Sequence, residues 1–403
     1  MGITFISCNN KEQDIAVPKF SNVNRQVSKS QAKELSLSVV TPIFNSESNI
    51  KFKGKRPQKV SPITEYKDVQ YIISDNDTLM YVINFGENDG YMIMSGDKGS
   101  FPIISFVDTG RVDVSAIDKS TSFGQWIEEK KVEISEKLKQ PIDTTNVNYK
   151  LWQGVGNDSC TVSIELTKEL PRRNSNSSLK QKMTGTRTYS TCKATVYPYT
   201  GVYYTWSQGS GYNNNAPIAG ALAGCPAVAV GLLCVDQWYP SAFDFYSMPY
   251  SVTVNNENSV SKMFRAIGDK IPGYKWSITS SGATPYNILT GIQELGFKDA
   301  KCQPYEFETA YNNLQKSLSV LFGGYSSNGG HIWFCDGYYE MGWKITRTTK
   351  FLWWKTKVET WYEYSDFLWM NWGWYGSQNG WFESNSWNGF ENNKMMYIDL
   401  YPM

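Results

Sequence analysis

The sequence predicts an α+β chain in two parts: a small mixed domain, then a larger one that opens with helices and closes with an antiparallel sheet. Three observations carry this. Short β-branched runs parted by turn residues crowd residues 69–107, and one helix-spaced stretch follows at 122–138. A run that is apolar on almost all sides occupies 226–238. From residue 318 onward the pattern is strands and turns rich in Trp, Tyr and Gly.

Residues 1–62 read as a polar leader rich in Lys, Ser and Asn. Residues 63–170 read as the small domain. Its strands are expected at 69–74 and 79–85 around the turn Ser74-Asp75-Asn76-Asp77, at 91–94 after Asn88-Asp89-Gly90, and at 101–107. Phe123, Trp126, Ile127, Val132, Ile134 and Leu138 fall near helical spacing, and Pro141 ends that helix. Residues 171–190, Ser/Asn-rich and basic, read as an exposed linker of the kind proteases cut. Residues 191–403 form the larger domain. Helices are expected at 226–238, 260–271 and 285–295, with Gly296 just past the last. Strands are expected at 318–322, 332–335, 367–371 and 396–398. Residues 351–364 read as a hairpin arm.

Charge is nearly balanced, 39 Lys and Arg against 38 Asp and Glu, which argues against a nucleic-acid partner. No apolar run is long enough to span a membrane. The seven cysteines include no Cys-x-x-Cys pair and a single histidine cannot complete a Cys/His zinc set, so neither a metal nor an organic cofactor is implied. Ile3 to Cys8 looks like the tail of a bacterial lipoprotein signal, with Cys8 as the lipidated residue; a chance cysteine is the alternative. The expected location is therefore secreted, or surface-anchored as an outer-membrane or cell-surface lipoprotein of a bacterium.

The one histidine, His331, is the sharpest clue, because any mechanism that needs imidazole must use it. It follows Gly329-Gly330 and opens a strand; a buried structural histidine is the alternative. Cys225 stands in Gly224-Cys225-Pro226, directly before the apolar helix. Proline suits the first helical position, which makes Cys225 the expected N-cap. A thiolate there meets the positive end of the helix, which lowers a cysteine from about 8.5 into roughly 3.5–7.5. The N–H of Cys225 is also placed to receive an oxyanion. Gly224 is expected to let substrate backbone come close. The alternative for Cys225 is a small buried apolar residue, as expected for Cys234. Asn371-Trp372-Gly373-Trp374 supplies a group to orient the imidazole and an indole to shield it.

Several segments, in order, resemble the streptopain family of papain-like cysteine peptidases. They are Trp206-Ser207-Gln208 with Tyr212-Asn213, Gly224 to Ala229, Trp238-Tyr239-Pro240, Gly329 to Tyr338, Met370 to Trp374, and Gly380-Trp381-Phe382. Gly90 to Lys98 is similar to a strand of the family's inhibitory prodomain. The resemblance implies a papain-like domain kept latent by its own prodomain and matured by cutting between about Arg172 and Thr191. It implies an endopeptidase acting on proteins and peptides, with Cys225 as nucleophile, His331 as its ion-paired partner and proton donor, and Asn371 or Trp372 orienting His331. Gln208, Gly224, Gly330 and Trp374 are the candidates for the oxyanion and substrate sites. Pro226 departs from the family's Val, and Tyr338 to Tyr364 is longer than the family pattern, an added hairpin beside the cleft. Competing readings are a catalytically inactive relative that binds, another Cys-His acyl-transfer enzyme using Asp336, and a Trp-rich carbohydrate-binding lipoprotein.

Overall fold

The computed structural model describes residues 20–21, 23–44, 65–87, 89–107, 110–119, 122–146, 148–149, 152, 160–166, 198, 200–252, 258–326, 329–351, 354–385, 387 and 390–402. Cys8 and the linker 171–190 lie outside them. In the first half come β1 (Phe20–Ser21), α1 (Lys29–Phe44), β2 (Asp68–Ser74), β3 (Asp77–Asn84), β4 (Tyr91–Ser95), β5 (Ile103–Val107), α2 (Ser122–Leu138), β6 (Ile142–Asp143) and β7 (Cys160–Leu166). The second half holds α3 (Thr200–Tyr203), α4 (Cys225–Gln237), α5 (Ser259–Lys270), α6 (Pro285–Glu294), β8 (Lys301–Pro304), α7 (Phe307–Gln315), β9 (Val320–Ser326), β10 (Gly329–Phe351), β11 (Trp354–Asn371), β12 (Gly380–Glu383) and β13 (Asn392–Ile398).

One antiparallel sheet runs through both halves in the order β2-β3-β4-β5-β12-β11-β10-β9-β13-β8, with β7 added on β10. The join is β5 on β12, where Phe106 faces Trp381 and Ser105 faces Phe382. Ser105 Oγ also donates to the Trp381 carbonyl at 3.2 Å. Hydrophobic packing crosses the same boundary twice. Trp126, Phe123 and Ile134 share a core with Phe322, Trp333, Trp372, Phe382 and Trp387 on one face. Val27, Leu35, Tyr81, Met92 and Phe106 share another with Phe367, Trp369 and Trp381. Each such aromatic removes some 150–250 Å² from water, so these shared cores bind the halves more strongly than two ladder pairs do.

Local rules account for the helices that matter. Every residue of α4 from Pro226 to Val235 is buried, as an all-round apolar helix requires. α5 opens on a capping box between Asn258 and Ser261, and α6 on Thr284 with Pro285 behind it. Gly296, φ +109°, stops α6 against the Tyr239 ring, where a side chain would clash. In α2 the buried stripe is Phe123, Trp126, Ile127 and Ile134, whereas Val132 is 65% exposed.

The structure departs from the sequence reading in the leader. Residues 29–44 are a helix, and residues 23–37 pack on the small domain. Ala32 and Leu35 enter its core. Arg25 donates from Nε and Nη2 to both oxygens of buried Asp97 at 2.8 Å, and Tyr81 Oη donates to the Val27 carbonyl at 2.6 Å. A stripe this narrow among Lys, Gln and Ser gives little periodic signal. The sequence reading also passed over α7, β12 and β7. The expected arm is longer than 351–364: β10 and β11 pair from Tyr338↔Leu368 out to Phe351↔Trp354.

Candidate active site

The approach to Cys225 is held by backbone. Ala223 N–H donates to the Gln208 carbonyl at 2.7 Å, and Leu222 N–H to the Ser277 carbonyl at 2.9 Å. Asn213 Nδ2 donates to the Ala221 carbonyl at 2.8 Å, and Tyr274 Oη to the Ala223 carbonyl at 2.6 Å. Trp206 and Tyr212 are wholly buried supports, and their polar tips meet the Pro249 carbonyl and the Val252 N–H. The stretch from Trp206 to Asn213 thus fixes the chain path into the helix. Gln208 lies half-buried beside it.

Gly224, not Cys225, is the N-cap of α4; Cys225 is the first helical residue and Pro226 the second. The reason is conformational. Residue 224 has φ +89°, and a Cβ there would come within 2.4 Å of Tyr274 Oη and 2.6 Å of the Ser281 carbonyl. The missing side chain makes room for neighbours in the chain itself, which corrects the expectation that it admits substrate. Cys225 is half-buried and free. Its thiol is not lowered as expected. Burial pushes it up to about 11, opposed by hydrogen bonds with the backbone of Ile332 and of Cys225 itself. Removal from water outweighs the helix end here.

His331 lies in β10 opposite Gly324 of β9. Gly330 pairs with Tyr325, whose ring occupies the place its Cβ would take. Strand alternation sends Ile332 and Phe334 toward α4, and His331 and Trp333 toward the opposite face. The imidazole stands in an aromatic box, 5.0 Å from the rings of Trp374 and Phe390, 5.8 Å from Trp333 and 6.4 Å from Trp372. Nε2 meets the Trp372 carbonyl at 2.9 Å. A carbonyl only accepts, so the proton sits on Nε2 and Nδ1 is the free base. Burial lowers the imidazole to about 4, although the Trp372 carbonyl works to raise it. Burial thus favours the neutral form of both candidate groups. Among the described residues, the ring and hydrogen-bond contacts of His331 run to the aromatic box and the Trp372 carbonyl. Cys225 instead packs on the core cluster that includes Ile332, one residue on.

Asn371 and Trp372 divide the role the sequence gave to either. Asn371, fully buried, does not reach the imidazole. Its Nδ2 donates to the carbonyls of Gly201 at 2.9 Å and Tyr204 at 2.8 Å, and its Oδ1 accepts from Gly373 N–H at 3.0 Å. Trp372 holds His331 through its backbone. Its own N–H is fixed by Asn379 Oδ1 at 3.0 Å and its Nε1 donates to the Gln378 carbonyl at 3.1 Å. Trp374 covers one side of the box, bridged through its backbone to Ser207. Asp336 points elsewhere and accepts from Gly201 N–H at 2.9 Å. Sequence reading missed Tyr274, Asn379 and Phe390, none of which stands in a motif. Cys234 and Cys335 are core. Among the described residues no cluster of ligand-type side chains fits a metal ion.

Two family models match separate parts of the chain. The Spi protease inhibitor model covers residues 24–134 and the Peptidase C10 family model covers residues 234–382. The second match takes in His331 and Asn371 and begins just after Cys225. The first match starts inside what the sequence reading set aside as leader. Comparison with curated proteins gives no match. A solved structure of a Prevotella intermedia prointerpain A fragment, in a cysteine-to-alanine form, aligns with a TM-score of 0.54 at 16% identity. The alignment covers 83% of this chain and 99% of that one, and at such identity the likeness is one of fold. An inhibitor-type prodomain joined to a peptidase domain through one sheet defines a cysteine peptidase made as a zymogen. The chain is a streptopain-like cysteine peptidase with its prodomain attached.

Proposed function

We propose that Cys225 and His331 are the catalytic pair of a secreted or surface-anchored endopeptidase, matured by a cut between about Arg172 and Thr191. The observation that carries this is the helix-opening Cys225 packed on the core cluster that holds Ile332, the residue next to His331, the sequence's one histidine. Residues 63–170 serve as the inhibitory part, with α1 packed on it, and residues 191–403 as the papain-like peptidase. Where the peptidase is surface-anchored, Cys8 is its lipid anchor. Activation has to bring His331 Nδ1 round to the thiol while Trp372 keeps its hold on Nε2.

In the mature site the thiol proton passes to Nδ1. The thiolate attacks the scissile carbonyl carbon, a C–S bond forms, and the carbonyl pair moves onto oxygen. The N–H of Cys225, with Gln208 beside it, receives that oxyanion. Collapse breaks the C–N bond as the imidazolium protonates the leaving amine. Water, losing its proton to His331, then cleaves the thioester and restores the thiol. Asn371 acts by bracing the turn that carries the Trp372 carbonyl. The half-buried indole of Trp374 and the exposed phenol of Tyr375 border the place where a peptide would lie. An acyl-transfer triad with Asp336 is disfavoured because that carboxylate is committed to Gly201.

The test is casein cleavage under reducing conditions by the full chain and by Cys225→Ala, with chain length followed on a gel. The expected result is shortening by about 175–190 residues and cleavage by the parent, with neither in the variant, a loss of at least about a thousandfold. A parent that stays inert after its linker is cut by an added protease would overturn the assignment.

A further inference from the structure

The outer half of β10 carries a strand that does not come from the peptidase half. β9 covers the inner stretch of this edge, Gly329 to Cys335, and β7 continues the row along Trp343 to Thr349. β7 is the last described element before the linker, and it lies beyond the residues the inhibitor model matches. We propose that the arm formed by β10 and β11 is a strand-docking surface whose partner is the chain's own Cys160–Leu166, and that this seam keeps the prodomain bound after the linker is cut. The proposal rests on reading Cys160–Leu166 as prodomain and residues 171–190 as the place of cutting.

The register supports a built seam. The ladder runs without a shift from Cys160↔Thr349 to Leu166↔Trp343, with Ile164 paired to Ile345, Glu165 to Lys344 and Thr161 to Thr348. The sequence of β7 alternates polar and apolar residue types, a pattern that a slip of one residue would put out of step. The polarity matters as well. β7 runs inward along the arm, so that Leu166 ends opposite Trp343, and the chain returns where Pro198 lies against Gly337. Leu166 and Pro198 are thus about 20 Å apart along β10, each held by its own contacts. A cut between them breaks none of the ladder pairs of β7 on β10. Without β7, the outer edge of β10 would be left open, a condition folded proteins generally avoid.

The experiment uses the full chain with Cys225→Ala, so that it cannot digest itself, and with a sequence-specific protease site inserted between Ser177 and Ser178. After cutting, hydrogen exchange reads the amides of Trp343–Thr349, and size exclusion over a dilution series reads fragment association. Exchange protection on that segment is expected to survive the cut, and the fragments to co-elute. The double variant Ser163→Pro/Ile164→Pro removes at least one N–H directed at β10, because successive N–H groups point to opposite sides. It should abolish that protection and raise the fragment dissociation constant at least tenfold. Should the double variant fail to fold, replacing residues 343–363 by a two-residue turn closed by Gly342 and Tyr364 deletes the acceptor and should have the same effect on dissociation. Loss of protection on cutting, or a dissociation constant unmoved by either change, would overturn the proposal. The inserted site makes the outcome independent of where natural maturation occurs, which sequencing the N-terminus of the processed parent determines separately.

Discussion

Cys225 and His331 are placed by different physics. The thiol's position follows from a few neighbouring residues: a glycine at positive φ, a proline in the first turn and a helix apolar all round. The imidazole's position follows from residues scattered over the sheet, with Trp333, Trp372, Trp374 and Phe390 closing round it and a distant carbonyl holding its proton. The first kind of placement is stiff, since α4 cannot rotate inside its core. The second is a matter of which surfaces are packed against which. The imidazole thus stands on the sheet side, against a core shared with the prodomain.

The contrast can be broken at four places. Asn371→Ala should cost most, about 4 kcal/mol in urea unfolding, because the Gly201 and Tyr204 carbonyls and the Gly373 N–H lose their buried partner together. Acid should act next. His331 titrates near 4 in the fold against 6.5 in a model peptide, so the unfolded chain takes up the proton first as pH falls. Stability is then complete above about 6.5, falls between 6.5 and 4, and levels below, for a total of about 3 kcal/mol. Subtracting the same unfolding series for His331→Asn isolates that part, and a flat difference would remove the buried neutral imidazole. On the helix side, Gly224→Ala should cost about 2 kcal/mol for its positive φ and its contact with Tyr274 and Ser281, read as a fall in Tm. The smallest effect is the most diagnostic. Trp374→Ala opens one wall of the box and should move His331 from about 4 toward 6.5, read from the single imidazole signal in a proton NMR titration. An unmoved titration would show that Trp374 does not control access of water.

What was legible in the sequence follows the same division. α4, α5, α6 and the strands at 68–107 could be read because capping residues and periodicity act over a few residues. Trp372 meets His331 by its backbone carbonyl, which no residue type reveals. The expectation of a lowered thiol failed because helix position is local and desolvation is not. Asn371, the other residue offered as a partner of His331, turns instead to the Gly201 and Tyr204 carbonyls, which stand far away in sequence. The departure flagged at Tyr338 to Tyr364 was sound as a position, but the strand that docks on it lies too far upstream for any local pattern to join the two.

The shared core has a consequence for the order of events during synthesis. Phe123 and Trp126 leave the ribosome long before His331, Trp372 and Phe390, yet all contribute to one hydrophobic cluster or its contents. The small domain cannot complete its own interior until the last strands are made, since Phe367, Trp369 and Trp381 belong to it too. The cores of the small domain and of the sheet it rests on are therefore completed together.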